Sequence, residues 1–317
     1  MRIVPKALAA VIIGMLLYGA LYAYTEQLVY RYGQRNPFYK VATADAAAEH
    51  VVILGASHAL PLEFGSKNET LEESVGGPVI NLAITGGGVI PNSVHIEYLL
   101  ERLGPERLGT VIYALDSFAF YSSEWNEARL EDVRLWQRAP LDLALIRTLW
   151  RSTSQLGVSQ QVFWNYLTGF SKVNDPSSWY TPDLWNDEVK FDDRYRPDTW
   201  LDQNRVDFLY PEGANQAALE TYLQHFLALI GTLQQHDVNI LVMKLPLRSD
   251  FYELIPGEAQ FDKRISSVLN EQDVPFYNYS VLEFDSELFY DPDHLNREGV
   301  SYFLQQYLRP VLERHVP

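Results

Sequence analysis

Five short apolar runs, alternating with amphipathic segments, most tightly limit the folds open to this chain. VVILGAS (51–57), PVINLAI (78–84), TVIYALD (110–116), NILVMKLP (239–246) and the weaker VPFYNYS (274–280) are short, rich in β-branched residues, and closed by Gly, Pro, Asp or Ser at or just beyond their ends. That is the pattern of strands buried on both faces. Between them, the stretches 92–103, 217–235, 261–272 and 299–315 repeat apolar residues at helical spacing. Strand and helix in alternation predict an α/β fold, a three-layer sandwich whose central sheet is mostly parallel and covered by helices on both faces.

One block interrupts the rhythm. All seven tryptophans (Trp125, Trp136, Trp150, Trp164, Trp179, Trp185 and Trp200) fall in residues 117–215, between the third strand and the next long helix. The block holds helical patterns at 140–152 and 158–170 and a Pro- and Asp-rich stretch at 174–213. It is too long for a loop and reads as a helical, aromatic-rich insertion packed on the C-terminal edge of the sheet.

The first 24 residues stand apart from this domain. Arg2 and Lys6 precede Ala7–Tyr24, 18 residues without a charge. As a helix this stretch is about 27 Å long, close to the hydrocarbon thickness of a bilayer. A cleaved signal peptide shares the basic start and apolar middle, but a cleavage site ending at Ala23 would have Leu21 where a small residue is needed. The segment therefore reads as an uncleaved transmembrane anchor with its N-terminus cytoplasmic. Residues 25–48 then read as a juxtamembrane stalk, and 49–317 as the folded domain, outside the cytoplasmic membrane.

Composition excludes several classes. A net charge of −16 leaves too few clustered Lys and Arg for a nucleic-acid surface. Without cysteine there is no disulfide framework and no thiolate metal site. The seven histidines form no HExxH or other recognisable ligand cluster, so neither a metal nor a cofactor is expected.

The residues suited to chemistry lie at opposite ends of the domain. Ser57 follows the first strand directly, with Gly55 allowing a tight exit, and a helix starting there would aim its N–H into the crevice at the strand ends. An ordinary helix-capping serine has the same surroundings. His294 sits in DPDHLNREG, with Asp291 three positions before it and Asp293 adjacent. Topology returns this loop to the edge that carries Ser57. A serine hydroxyl, an imidazole to take its proton and a carboxylate to orient the imidazole are the parts needed for acyl transfer. The bland alternative for the second loop is an exposed turn, since Asp, Pro and Asn are common there.

GASH, followed by NLAITGGG (81–88) and DPDHLN (291–296), resembles the SGNH (GDSL-type) hydrolase superfamily over residues 51–116 and the last 80 residues. The resemblance implies a flavodoxin-like sandwich with Ser57 as nucleophile, His294 as general base and Asp291 as its orienting acid, on the family's DxxH spacing. It implies an oxyanion hole built from the Ser57 N–H and a glycine N–H, best matched by Gly86, with Gly87 and Gly88 as alternatives. The family's third donor is an asparagine side chain. Here Asp116 holds that place, where a carboxylate would repel a developing oxyanion unless protonated or turned away. Asn81 is a substitute donor or a structural residue.

With its anchor, the chain is similar to extracytoplasmic SGNH-like proteins of envelope acylation, such as the alginate O-acetylation proteins and the lipoteichoic-acid D-alanylation protein DltD. That likeness implies an O-acyltransferase, most naturally an O-acetyltransferase, acting through an acyl-serine. An MBOAT-type membrane acyltransferase would be its partner and a polysaccharide or polyol polymer its acceptor. A carbohydrate esterase with the same triad and a non-catalytic scaffold are the alternatives. Exposed aromatic residues of the insertion would suit sugar rings or partner proteins. Lys244 and Arg248, at the end of the fourth strand, are either surface charges or contacts for an anionic substrate, Arg248 being the candidate for binding.

Overall fold

The computed structural model describes residues 3–174 and 187–315. Five strands, β1 (His50–Gly55), β2 (Val79–Asn81), β3 (Leu108–Ala114), β4 (Asn239–Lys244) and β5 (Phe276–Asn278), form one sheet in the order β2-β1-β3-β4-β5. Every pairing is parallel, with Val52 opposite both Ile80 and Val111 and Ile112 opposite Leu241. All five apolar runs of the sequence are thus strands, and the fold is α/β.

The period-two alternation of strand side chains builds two cores. Val52, Leu54, Ile80, Val111, Tyr113 and Val242 face the helices Val89–Leu103, Gln216–Gln235 and Glu258–Glu271. Val51, Ile53, Val79, Ile112, Leu241 and Met243 face the C-terminal helical segment through Phe303, Leu308 and Leu312. That segment is one pattern in the sequence but three pieces in the structure. Arg297–Phe303 and Arg309–His315 are α-helical, and Leu304–Leu308 between them is a π-turn. Pro310 has no N–H to return to residue 306, and a widened turn absorbs the missing bond.

Two expectations about the periphery change. The N-terminal helix α1 (Ile3–Tyr32) runs unbroken past residue 24, and α2 (Pro37–Thr43) follows after a short turn. Asn36 caps α2 by accepting from the Phe38 and Tyr39 N–H groups at 3.0 and 3.3 Å, and it donates to the Leu135 carbonyl at 2.8 Å. Phe38 and Val41 are fully buried, and the Phe38 ring stacks on Trp136 with centroids 4.8 Å apart. Residues 36–43 are therefore part of the core and not a free stalk, because an apolar face at this position has the insertion to pack against.

The insertion divides between two places. Its helix Leu143–Gln155 packs on the outer side of the helix Val89–Leu103, where Arg147 and Arg151 both pair with Glu101 at 2.7 and 2.8 Å. Its flanking parts do reach the C-terminal edge of the sheet, through Trp125, Tyr195 and Arg205. Trp125 and Trp136 are buried, whereas Trp150, Trp164 and Trp200 are exposed. Trp179 and Trp185 lie outside the described residues.

Candidate active site

The sheet order reverses between β1 and β3, so the loops leaving these two strands diverge and open a crevice at their C-terminal ends. Gly55 closes β1 at φ +151°, and a Cβ there would meet the Ala114 carbonyl oxygen at 2.7 Å. Only glycine permits this exit. Asn92 locks it by accepting the Gly55 N–H at 3.1 Å. Ser57 then opens a 3₁₀ segment (Ser57–Ser66) and is buried. As the first residue of that segment its N–H has no intrahelical acceptor.

The loop after β5 brings His294 to this edge. Asp291 Oδ1 accepts the backbone N–H groups of Asp293 and His294 at 3.1 and 2.8 Å, which folds the loop into a tight turn. Both Asp291 oxygens also lie 2.9 Å from His294 Nδ1. Asp293 approaches the same nitrogen at 3.1 Å. The opposite ring nitrogen, Nε2, is buried and has no hydrogen-bond partner among the described residues. The Tyr290 ring stacks on the imidazole, 5° from parallel with centroids 5.4 Å apart. Asn296, the last residue of DPDHLN, is structural: it caps the next helix by accepting the Gly299 N–H at 2.9 Å and donates to the Glu287 carbonyl at 2.7 Å.

His58 joins the two ends of the chain. Its Nδ1 lies 2.5 Å from Asp116 Oδ1 at the end of β3, and its Nε2 lies 2.9 Å from Asp293 Oδ2. Its ring centroid is 4.8 Å from that of His294. The loops after β1, β3 and β5 therefore meet at one imidazole. Among the described residues no hydrogen bond joins Ser57 to His294 directly; the loops are tied through the neighbouring residue. Sequence reasoning missed His58, although its place beside Ser57 and its two ring nitrogens made it a candidate for a bridge between carboxylates.

Charge explains the arrangement. Burial works against a charged His58, but Asp116 and Asp293 outweigh it and raise its pKa to about 10. It is an imidazolium at neutral pH. Burial likewise opposes charging of His294, and Asp291 and Asp293 more than compensate, so its pKa is raised. For Asp293 burial favours the acid, yet Arg205, His294 and His58 hold its carboxyl well below the usual range. Arg205 Nε lies 3.0 and 2.9 Å from the two Asp293 oxygens. The carboxylate of Asp116, which stands where the resemblance calls for an asparagine, is turned toward a cation.

His58, Asp293 and His294 place potential metal-ligand atoms within 4.8 Å of one another. The set suits a cation poorly, since the His58 proton and the Arg205 guanidinium already neutralise Asp293.

Among the three glycines after β2, Gly87 donates to the Ile84 carbonyl at 2.9 Å and Gly88 to the Trp125 carbonyl at 2.7 Å. The Gly86 N–H has no acceptor among the described residues, and Gly86 itself sits at φ +64° beneath the Trp125 ring. Both ends of the Asn81 amide are used: it donates to the Ala59 carbonyl at 2.8 Å and accepts the Ala83 N–H at 3.0 Å. Asn81 is a structural tie.

Lys244 and Arg248 are not surface charges. Lys244 is buried between Glu258 and Asp262. Arg248 is buried over the Tyr195 ring, and all three guanidinium nitrogens are engaged by Asp202, Asp250 and the Pro292 carbonyl. The expected substrate-binding role for Arg248 gives way to a bracing one: it holds the loop that carries His294. Its partner Asp202 comes from the insertion, which sequence spacing could not reveal.

No family model and no curated protein matches this sequence. Among solved structures, a Bacteroides fragilis protein described as a "putative acylhydrolase" superposes with a TM-score of 0.42 at 10% identity, over 91% of this chain and 97% of that one. A likeness so slight adds nothing about chemistry.

Proposed function

We propose that this protein is a membrane-anchored O-acyltransferase that modifies a cell-envelope or secreted polysaccharide through an acyl-Ser57 intermediate. The observation that carries the reading is the His294 imidazole: Nδ1 is fixed by Asp291, and Nε2, on the sheet edge where Ser57 lies, is buried and has no partner among the described residues. An imidazole held in that tautomer can take a hydroxyl proton through Nε2.

Ser57 Oγ attacks the acyl carbonyl while its proton passes to His294 Nε2. The tetrahedral oxyanion is held by the N–H groups of Ser57 and Gly86. It collapses with loss of the donor's oxygen, which takes the proton from His294. An acceptor hydroxyl, deprotonated by His294, then attacks the acyl-serine and restores Ser57. Ser57 Oγ must reach Nε2 when the donor binds; such contacts are commonly long in resting enzymes. His58 lets Asp116 occupy this site by neutralising it.

The N-terminal helix supports an extracytoplasmic, anchored setting. Pro5–Tyr32 is long and apolar enough to cross a membrane, and the side chains Leu8–Leu17 that lie along it are exposed. The basic residues at its start favour a cytoplasmic N-terminus. An MBOAT-type acyltransferase in the same membrane would supply the acyl group. To test this, full-length protein is given an activated acetyl ester with and without acceptor oligosaccharide. Acetylated sugar that depends on Ser57 supports the transferase; acetate released at an unchanged rate, with none on the sugar, reassigns the protein to the esterases.

A further inference from the structure

The geometry between α1 and the insertion fixes how deep the domain sits. Tyr18 Oη donates to the Thr168 carbonyl at 3.0 Å, the Tyr22 ring covers Gly169, and Lys172 pairs with Glu26, which also accepts the Leu141 N–H at 2.8 Å. Among the described residues, packing thus begins at residue 18, inside the uncharged stretch. Residues 3–17 alone rise about 22 Å, whereas a hydrocarbon core needs about 30 Å. Helix tilt would widen this gap. Arg2 and Lys6 close the apolar stretch on its other side, so the missing length comes from the part of α1 that already carries the domain.

Glu26 is the first charge after Lys6 and marks the outer boundary. Thr168, meeting α1 at residue 18, lies eight residues deeper, about 12 Å along the helix. The segment at this depth is built for it. From Ser152 to Asn174 the single charged side chain is Lys172, buried against Glu26, in a chain that is 21% charged. The apolar side chains it leaves exposed are Trp164, at 54%, and Phe170, at 61%. Between them opens a groove lined by Val133, Val162 and Thr168.

We infer that the turn joining the helices Gln160–Thr168 and Phe170–Asn174 is immersed in the outer leaflet of the bilayer, with Trp164 and Phe170 against lipid. This rests on α1 being a retained, spanning anchor. Both rings are large and apolar, so lipid takes up surface that water would solvate poorly. The domain then lies on the membrane rather than above it on a tether, and the active-site crevice is held at a fixed height.

The chain has no cysteine, so full-length Met15→Cys, Trp164→Cys and Phe170→Cys variants can each carry one bimane label. They are reconstituted in phosphatidylcholine vesicles with and without brominated acyl chains. Quenching at all three positions is the expected result. Quenching at Met15 with none at Phe170 and Trp164 overturns the inference and leaves this face for a protein partner. No quenching at Met15 overturns the anchor reading, and the inference with it.

Discussion

His58 Nδ1 and Asp116 Oδ1 stand 2.5 Å apart, so the carboxylate that replaces an expected oxyanion-hole asparagine is half of an ion pair. The pair is buried, and it shares its imidazole with Asp293. Removing the imidazole would leave two carboxylates facing each other without it. For His58→Ala a loss of about 3–5 kcal/mol is expected, the usual cost of breaking a buried pair. Urea denaturation of the variant and the parent at neutral pH measures it.

The same pair makes stability depend on pH. His58 has a folded-state pKa of about 10 against 6.5 for the free side chain. A raised pKa contributes stability that is complete below the unfolded value and is lost as pH rises through the folded one. The parent should therefore lose stability steadily between about pH 6.5 and 10, and His58→Gln should show a flatter dependence over that window. Denaturation midpoints across this range decide; parallel curves would remove His58 as the linked group.

Asp291 and Asp293 both approach His294, but they do different work. Asp291 fixes Nδ1 and folds the loop, whereas Asp293 is shared with His58 and Arg205. Asp291→Asn should cut turnover about 10³-fold or more by releasing the tautomer. It should also lower the pH at which activity appears, because the raised pKa of His294 owes much to that carboxylate. Asp293→Asn should destabilise the fold as well as slow the reaction. Steady-state rates from pH 5 to 9, beside melting temperatures, separate the two.

Gly55→Ala tests the exit from β1. The new methyl group meets backbone, the Ala114 carbonyl at 2.7 Å, at a φ of +151°. Strain of about 1–3 kcal/mol is expected, with Ser57 displaced and activity lost beyond what the stability change explains. Thermal melts and turnover of the same preparation provide the comparison.

Phe38→Ala tests the corrected boundary of the domain. A ring buried against Trp136 should cost about 3–5 kcal/mol on truncation. A free stalk residue would cost almost nothing. Chemical denaturation distinguishes the two outcomes.

The sheet was legible because β1 to β4 are almost wholly buried on both faces and so spell out their own apolar runs, whereas β5, half-buried at the edge, has the weakest one. Ser57, Asp291 and His294 could be nominated from their loops, since β-strand topology alone returns 291–294 to the edge that carries residue 57. The charged residues misled for a common reason: whether a cation is buried depends on partners far away in the chain. Lys244 finds Glu258, Arg248 finds Asp202, and His58 finds Asp293, 235 residues on. Only Arg248 also has a partner close by, Asp250 two residues on. Phe38 was hidden likewise, since its stacking partner Trp136 belongs to an insertion with no strand pattern to place it.

The central claim, that Ser57 carries the acyl group, is tested most directly by intact-mass and peptide mass spectrometry of protein quenched during turnover of an activated acetyl ester. The expected result is one acetyl group on the peptide containing Ser57, absent from Ser57→Ala and from His294→Ala. An unmodified Ser57 peptide during turnover, or undiminished turnover by Ser57→Ala, would contradict the account.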